Sequence, residues 1–189
     1  MASYDGSTLI ARGIEKIRKQ IPNVYITVGY KKSMLAQHVV EHNVSGIFNT
    51  EGKGNSWWVY NTLMKYINEP VIVLTCDNIV ELDITLLYKN YTLHKQPSCM
   101  VIPVKPVEGL EGDYIFHEKN IVSELSRVKK SIAYCSGIQI LNPYKIIAST
   151  QPTESFNSLW EQLIAKKELY CSDIYPDKWN SADTVEQLE

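Results

Sequence analysis

The amino-acid sequence predicts an α/β fold: a Rossmann-like, mostly parallel sheet with helices on both faces and a small antiparallel patch. Between residues 7 and 104, apolar β-branched segments alternate with amphipathic segments, the pattern of parallel strands whose two faces are covered by helices. Beyond residue 113, short extended segments follow one another without a helix, which indicates antiparallel pairing. The ordinary composition, 44% hydrophobic and 21% charged, predicts one domain spanning residues 1–189.

The first half of the chain carries the predicted parallel strands and their helices. Ser7, with Thr8 as an alternative, is the expected cap of a first helix that stops at Pro22. Glycine, proline or asparagine residues end several of the following segments. The predicted strands are 24–29, 46–49, 71–76 and 99–104, and the predicted helices among them are 31–43, 58–67 and 84–95.

The second half predicts the antiparallel patch and a last amphipathic helix. Segments 114–117, 121–125 and 132–141 read as short strands joined by tight turns, one of which is HEKN at 117–120. We expect these strands to be appended to the parallel sheet. Residues 155–167 then repeat apolar side chains at helical spacing.

Charge and cysteine usage exclude several classes of function. The formal net charge is -2 and lysine and arginine form no stripe, so neither nucleic acid nor an anionic membrane is the expected partner. The apolar runs are too short to cross a bilayer, and without a leader the default prediction is a cytoplasmic protein. The four cysteines, at 76, 99, 135 and 171, form no CxxC pair and are expected to be buried free thiols.

Asp77 follows the predicted strand VIVLTC directly, within the stretch VIVLTCDNIVELD. In open α/β sheets ligands gather at the carboxyl ends of the strands, and a carboxylate there can hold Mg²⁺ beside substrate phosphates. Aspartate and asparagine are also common turn residues. Position alone leaves both interpretations open.

Two further segments bear on that choice. The loop GKGNS supplies Gly52, Lys53, Gly54, Asn55 and Ser56 between a strand and a helix, where its backbone could approach a nucleotide, although a plain loop explains it equally well. Near the end of the chain, the pattern W-x-x-x-D-T-x-E-x-L places Asp183 at the start of a predicted helix, as a cap and a second candidate carboxylate.

The order of these parts resembles the sugar-phosphate nucleotidyltransferase family, of the nucleotide-diphospho-sugar transferase-like fold. The similar segments are DGSTLIARGIEKI, VYITVGYKKSML, EGKGNS, PVIVLTCDNIVELD, GDYIFHEKNIVSEL, YCSGIQILNP and WNSADTVEQLE, which together cover the chain from Gly6 onward. The resemblance implies that a sugar 1-phosphate or similar phosphomonoester attacks the α-phosphorus of a nucleoside triphosphate and releases pyrophosphate. Such chemistry depends on positioning and on neutralising the developing charge.

The resemblance also implies roles for individual residues. Asp77 would be the catalytic carboxylate and the first ligand of a Mg²⁺ cofactor. The second ligand would be Asp183, although some family members carry it at the position of Ser181. Residues 52–56 would line the nucleoside triphosphate. The sugar phosphate would be contacted by Asn78, Lys129 and Gly137.

Two departures from the family pattern leave other functions open. The family's N-terminal strand and its basic glycine-rich loop have no counterpart before Met1, and the Glu-Lys pair that commonly follows the hairpin is absent. An N-terminally truncated or degenerate chain is therefore expected, inactive by itself or acting as a non-catalytic interaction or regulatory domain. A metal-dependent glycosyltransferase using a nucleotide-sugar is the third interpretation.

Exposed strand edges also favour self-association, so a homodimer or an aggregate is expected.

The segment HVVEH matches the H-x-x-E-H pattern of one class of metalloproteases. His38 and His42 would share one face of a short helix, with Glu41 nearby. The polar surroundings favour a solvated helix over a zinc site.

Overall fold

The computed structural model describes residues 3–4, 6–107 and 112–181 as a mixed α/β fold. The strands are β1 Ser3–Tyr4, β2 Ser7–Thr8, β3 Tyr25–Val28, β4 Gly46–Asn49, β5 Val71–Val73, β6 Asn78–Glu81, β7 Cys99–Val104, β8 Tyr114–Glu118, β9 Ile121–Ser126, β10 Ala133–Leu141, β11 Leu169–Cys171 and β12 Lys178–Ser181. The helices are α1 Leu9–Arg18, α2 Lys32–Val40, α3 Trp57–Asn61, α4 Ile84–Leu93, α5 Pro143–Ser149 and α6 Phe156–Ala165, with a 3-10 helix at Leu63–Tyr66.

The main sheet has six strands in the order β5-β10-β7-β11-β9-β8. The pairings place β5, β7, β11 and β8 in one direction and β9 and β10 in the other. The mixed α/β class is therefore confirmed, but the expected position of the antiparallel patch is wrong. The reversed strand β10 lies between β5 and β7, because most of its side chains are buried on both faces and belong in the middle of the sheet.

A separate parallel pair, β3 and β4, packs on the same hydrophobic core. The rings of Tyr25 and Phe48 stack with their centroids 5.6 Å apart, and both rings contact the cluster that also holds Val71 and Val73 of β5. In the described residues, no hydrogen bond joins β3 to β5. Each of these two strands thus has one backbone edge without a strand partner.

Helices cover both faces of the six-stranded sheet, as the sequence predicts. On one face, α3, α5 and α6 contribute Trp58, Ile146 and Leu159 to the larger core cluster. On the other face, α4 contributes Leu87 and Tyr91. Every residue of β7 is buried, which agrees with its uninterrupted apolar sequence.

Short polar side chains set the ends of the helices. The Thr8 hydroxyl accepts a hydrogen bond from the Ala11 amide at 3.2 Å, so the alternative cap is correct and Ser7 lies in β2. Thr62 divides the predicted helix 58–67 in two, because its hydroxyl donates to the Trp58 carbonyl and accepts from the Met64 amide.

Several sequence predictions differ from the structure in extent. The predicted strand 71–76 ends at Val73, so Cys76 is exposed, contrary to expectation, whereas the other three cysteines are wholly or partly buried. The elements α5, β6, β11 and β12 are not predicted from the sequence. The HEKN turn is confirmed: Lys119 and Asn120 have φ angles of 48° and 66°.

Candidate functional site

Asp77 lies in a tight turn between β5 and β6. The turn is held by its neighbours, because the Asn78 side-chain amide donates to the Thr75 hydroxyl at 2.5 Å. Asp77 itself is exposed, and within the described chain its carboxylate takes part in no hydrogen bond or ion pair. The residue is thus part of a turn, but its oxygens are free to bind a ligand.

The Ser136 carbonyl fixes this turn against the main sheet. It accepts one hydrogen bond from the Asn78 amide at 2.9 Å and another from the Trp179 indole nitrogen at 3.1 Å. The next residue, Gly137, has a φ angle of +80°, and an ideal Cβ there would lie 3.0 Å from the Thr75 methyl carbon. Glycine is therefore required, both by the backbone conformation and by the close approach of the Asp77 turn.

The antiparallel pair β6–β12 brings the end of the described chain to the same place. Trp179 lies opposite Val80, and Ser181 lies opposite Asn78. Ser181 is therefore next to the turn that carries Asp77. Asp183, the predicted second metal ligand, lies outside the described residues.

A cleft of about 220 Å³ opens between this turn, β10 and α6. Its charged lining residues are Asp77 and Asp113. No lysine or arginine is among the described residues that line it. It is further lined by the side-chain amides of Asn78 and Asn157, the aromatic rings of Tyr134, Trp160 and Trp179, and by Thr75, Gly112, Cys135, Ser136, Gly137 and Ser181.

The electrostatics of the cleft are dominated by the two carboxylates. Asp113 is largely buried, and one of its oxygens lies 3.4 Å from the guanidinium Nε of the exposed Arg127. Burial raises the pKa of the Tyr134 hydroxyl, and the nearby Tyr114 and Asp113 raise it further. The cleft is therefore lined by carboxylate, amide and aromatic side chains, and the Asn78 amide already donates to the Thr75 hydroxyl and the Ser136 carbonyl.

Within the described residues, no group of three or more histidine, cysteine, aspartate or glutamate side chains could hold a metal ion. A cation at Asp77 would thus need a further ligand, for which Asp183 remains the candidate. The free carboxylate suits Mg²⁺, which takes oxygen ligands and keeps positions for substrate phosphates and water.

No residue of the GKGNS loop lines the cleft, and the loop anchors the start of α6. The Glu154 carboxylate accepts from the Gly54 amide at 3.1 Å, and the Asn55 side-chain oxygen accepts from the Phe156 amide at 2.9 Å. An ideal Cβ at Gly54 would lie 1.9 Å from the Glu154 carbonyl oxygen. The glycine is thus explained by the approach of another protein segment, and Ser56 is likewise bound to the Glu154 carbonyl.

The other residues of that loop and Lys129 are also not in the cleft. Gly52 and Lys53 are exposed, and the Lys53 ammonium lies over the Trp57 ring at 5.6 Å. Lys129 is exposed and its ammonium contacts the Glu124 carboxylate at 2.8 Å. Of the predicted substrate contacts, only Asn78 and Gly137 line the cleft with Asp77.

Sequence reasoning missed Asp113, Tyr134, Asn157 and Trp160 as members of the site. They come from a loop, a strand and a helix that are distant in sequence, and no motif links them. Side chains alternate between the two faces along β10, so Tyr134 and Ser136 lie on the same face of the sheet. This alternation is the only signal in the sequence that could have indicated Tyr134 as a member of the site.

The histidines of the HVVEH segment pack against α1 and its cap, whereas Val40 and Glu41 are exposed, as a solvated helix requires. The His38 ring nitrogen lies 2.7 Å from the Thr8 hydroxyl. One His42 nitrogen lies 3.8 Å from the Glu15 carboxylate, and the two rings meet edge to face at 5.0 Å. These contacts account for both histidines without a metal.

None of the helices in the described ranges is long and apolar enough to cross a membrane.

No protein-family model matches this sequence, and no curated protein matches it. Several solved structures, in contrast, match this chain. A Bacillus anthracis protein described as a glucose-1-phosphate thymidylyltransferase, in complex with a sucrose, matches with a TM-score of 0.77 and 15% identity over 98% of this chain and 81% of that one. The inositol-1-phosphate CTP transferase from T. maritima matches with a TM-score of 0.75 and 13% identity over 99% of this chain and 81% of that one.

The CTP:phosphocholine cytidylyltransferase from Streptococcus pneumoniae matches with a TM-score of 0.70 and 15% identity, over 98% of this chain and 84% of that one. Identities at this level show the fold alone. The predicted nucleotide-diphospho-sugar transferase-like fold is thus confirmed over nearly the whole chain.

Proposed function

We propose that this chain, which has the fold of the sugar-phosphate nucleotidyltransferases, transfers a nucleoside monophosphate from a nucleoside triphosphate to a phosphomonoester. One oxygen of the acceptor phosphate attacks the α-phosphorus, the bond from that phosphorus to the bridging oxygen breaks, and pyrophosphate leaves. The observation that carries the proposal is the free Asp77 carboxylate at the mouth of the cleft, in a fold shared with proteins of this activity.

Asp77 and Asp183 are proposed to hold Mg²⁺, which would neutralise charge on the phosphates during transfer. The β6–β12 pairing supports this pair, since it places Ser181 opposite Asn78, and Asp183 follows two residues later. Asn78 orients the turn through its two hydrogen bonds. The aromatic side chains of Trp160 and Trp179 supply flat walls for the acceptor beside Gly137.

Gly52 and Lys53 are proposed to contact the triphosphate, because they are exposed and, unlike Gly54 and Asn55, form no hydrogen bond to the segment at the start of α6. A single lysine supplies little of the positive charge that a triphosphate requires.

A second candidate function is a non-catalytic domain of the same fold. It is favoured by the absence of lysine and arginine from the described lining of the cleft, because a triphosphate needs cationic partners. Such a protein would bind a nucleotide or acceptor without turnover and would act through association with another protein.

The deciding experiment measures binding and turnover together. Calorimetric titration with CTP, GTP, UTP and TTP, each with and without Mg²⁺, identifies the nucleotide. Pyrophosphate release is then followed with glucose 1-phosphate, inositol 1-phosphate and phosphocholine as acceptors. Release that depends on both substrates supports the transferase. Binding without release supports the non-catalytic domain, and formation of a glycoside from a nucleotide-sugar would indicate the glycosyltransferase instead.

A further inference from the structure

Two strands of this fold have open edges and carry none of the features that protect an open edge. In the described residues, β5 has no partner on the side away from β10, and β3 has none on the side away from β4. Their sequences, VIV and YITV, contain no charged residue and no proline, and neither pairing has a bulge. Soluble proteins usually protect open edges by these devices. Both edges are therefore suited to pairing with a further strand.

The helices that connect β3, β4 and β5 indicate that the two open edges face each other. The helix α2, between β3 and β4, lies on the α4 side of the molecule, because His38 contacts Thr8 at the start of α1 and Gln20, just after α1, accepts from the Ile84 amide of α4. The helix α3, between β4 and β5, lies on the other side and contributes Trp58 to the larger core cluster. Crossover connections are right-handed, so crossovers on opposite faces run in opposite directions along a sheet. By this rule, β3 lies on the β5 side of β4.

The strands β3 and β5 bound a space instead of pairing directly. No hydrogen bond joins them in the described residues, yet Tyr25 of β3 packs on the same core cluster as two side chains of β5. The side chains of β5 are as apolar as those of the central strand β7, but they are only half-buried, whereas every residue of β7 is buried. We refer to the space between Tyr25–Val28 and Val71–Val73 as the β3–β5 slot.

We propose that the β3–β5 slot takes up an extended segment of another polypeptide, which enters as a strand and forms hydrogen bonds to both edges. The segment is uncharged and rich in apolar β-branched residues, because Val71 and Val73 pack on one core cluster and Ile72 packs on the other. In strand addition of this kind, main-chain hydrogen bonds supply affinity and side chains supply specificity. The inference goes beyond the proposed function and does not depend on turnover.

Neither a folded second copy nor the longest remaining stretch of this sequence suits the slot. Every described strand already has a neighbour on at least one side. A strand of a second copy could therefore cover one open edge but could not enter between two. The longest stretch outside the described ranges, residues 182–189, carries three acidic side chains, which are costly to bury between apolar strands.

Thr27 permits a substitution that acts on the slot alone. The Val28 carbonyl accepts from the Thr50 amide at 2.8 Å, so the backbone of Val28 faces β4. Successive residues of a strand direct their backbone groups to opposite edges, so the backbone of Thr27 faces the open edge. Thr27→Pro removes an amide donor from the slot and leaves the β3–β4 hydrogen bonds intact, whereas the matched variant Thr27→Val keeps that donor.

The test measures peptide binding by calorimetry. The probe is a run of valine and isoleucine as long as β3, with blocked ends and flanking lysines. Two matched peptides carry N-methyl groups on alternate amides, one for each side of the strand. The unmethylated peptide should bind at millimolar concentration or below, and both methylated peptides should fail to bind, because each can pair with only one wall of the slot.

The two variants test the β3 wall of the slot. Thr27→Pro should weaken binding of the unmethylated peptide by about tenfold, the size of one amide hydrogen bond, with the unfolding temperature nearly unchanged. Thr27→Val should bind the peptide as the unmodified chain does. Full binding by a folded Thr27→Pro variant would refute the assignment of β3 as a wall.

The peptides decide the inference even where a variant fails to fold. If either methylated peptide binds as well as the unmethylated one, the peptide adds to a single open edge and insertion is refuted. If the unmethylated peptide does not bind at millimolar concentration, the inference is overturned. None of these measurements includes a nucleotide or an acceptor phosphate, so pyrophosphate release remains a separate test of the proposed function.

Discussion

The Trp179 indole nitrogen donates a hydrogen bond to the Ser136 backbone carbonyl at 3.1 Å. The same carbonyl accepts from the Asn78 side chain. One oxygen atom of β10 therefore ties together the turn that carries Asp77 and the strand that leads toward Asp183. The position of the Asp77 turn relative to β12 depends on this pair of bonds.

Trp179→Phe should loosen this connection and leave the rest of the fold intact. The ring still packs on the core, but the indole hydrogen bond is lost, at a cost of about 1 kcal/mol. Mg²⁺-dependent nucleotide binding should weaken severalfold. Trp58→Phe is the control, because Trp58 is buried in the core and does not line the cleft. Equal effects of the two substitutions on nucleotide binding, measured by calorimetry, would contradict the role assigned to Trp179.

Asp77→Asn should abolish most of the activity while preserving the fold. The carboxylate has no partner in the described chain, so its neutralisation removes no folded-state contact. The loss of the proposed metal ligand should lower kcat by about 10²–10³-fold. The control is Asp83→Asn, since Asp83 caps α4 through a bond from the Leu86 amide and asparagine caps equally well. Retained Mg²⁺-dependent turnover in Asp77→Asn would refute the metal assignment.

Gln139→Leu should destabilise the protein by about 2–3 kcal/mol, because it leaves a buried donor unpaired. The Gln139 side-chain oxygen accepts from the Trp160 indole nitrogen at 3.0 Å and from the Cys99 thiol at 3.2 Å. Urea unfolding measures the difference in the free energy of unfolding. The exposed Gln37 provides the control, Gln37→Leu, which should change that free energy by less than about 0.5 kcal/mol.

Asp173 should contribute stability that disappears in acid. Burial alone would raise the pKa of its carboxyl, but hydrogen bonds from Asn120, His94 and Asn90 outweigh burial and lower it. Because the pKa is lower in the folded state than the unfolded value of 3.8, the contribution is complete above that value. It is lost as the pH falls through the folded-state pKa.

The Asp173→Asn variant tests this contribution. Its free energy of unfolding should be up to about 1 kcal/mol below that of the unmodified chain at pH 7, a small effect because the carboxylate is largely exposed. The difference should shrink below pH 4. Asp177→Asn, at a second exposed aspartate nearby, is the control and should change the free energy of unfolding at pH 7 by less than about 0.5 kcal/mol. A difference that stays constant from pH 7 to pH 2 would argue against the network.

Thr27→Lys should reduce self-association. Thr27 is an exposed residue of β3, whose one edge has no strand partner in the described chain, and lysine on an edge strand opposes pairing with another molecule. Light scattering over a concentration series should show dimers or larger species for the unmodified chain and fewer for the variant. Thr85→Lys, on the exposed face of α4, adds the same charge away from both edges and should change nothing. A monomeric unmodified chain at every concentration would contradict the expectation.

The sequence indicates the elements of this fold better than their arrangement. Apolar runs such as 99–104 and caps such as Thr8 and Asp83 are local signals, and the structure places strands and helices accordingly. The insertion of β10 between β5 and β7 depends on pairing between residues thirty or more positions apart, which no local pattern specifies.

For the candidate site too, the sequence indicates single residues but not how the fold brings them together. The sequence singles out Asp77 and Gly137 because each lies in a segment with its own signal, a strand end or a glycine, and both line the cleft. For the GKGNS loop the sequence leaves two interpretations open, because a glycine is required equally by a nucleotide and by another protein segment. In this chain the neighbour of Gly54 is the backbone of Glu154, and only the tertiary structure distinguishes the two cases.

The contact between Gly54 and Glu154 has a consequence for the order of folding. The loop ahead of α3 takes its native shape against residues about a hundred positions later in the chain, so it cannot be completed during synthesis until those residues have left the ribosome. Native contacts over such separations form slowly, since a long segment must first be closed into a loop. The N-terminal half should therefore emerge with β4 and α3 still unanchored and become protected from proteolysis only after α6 has docked.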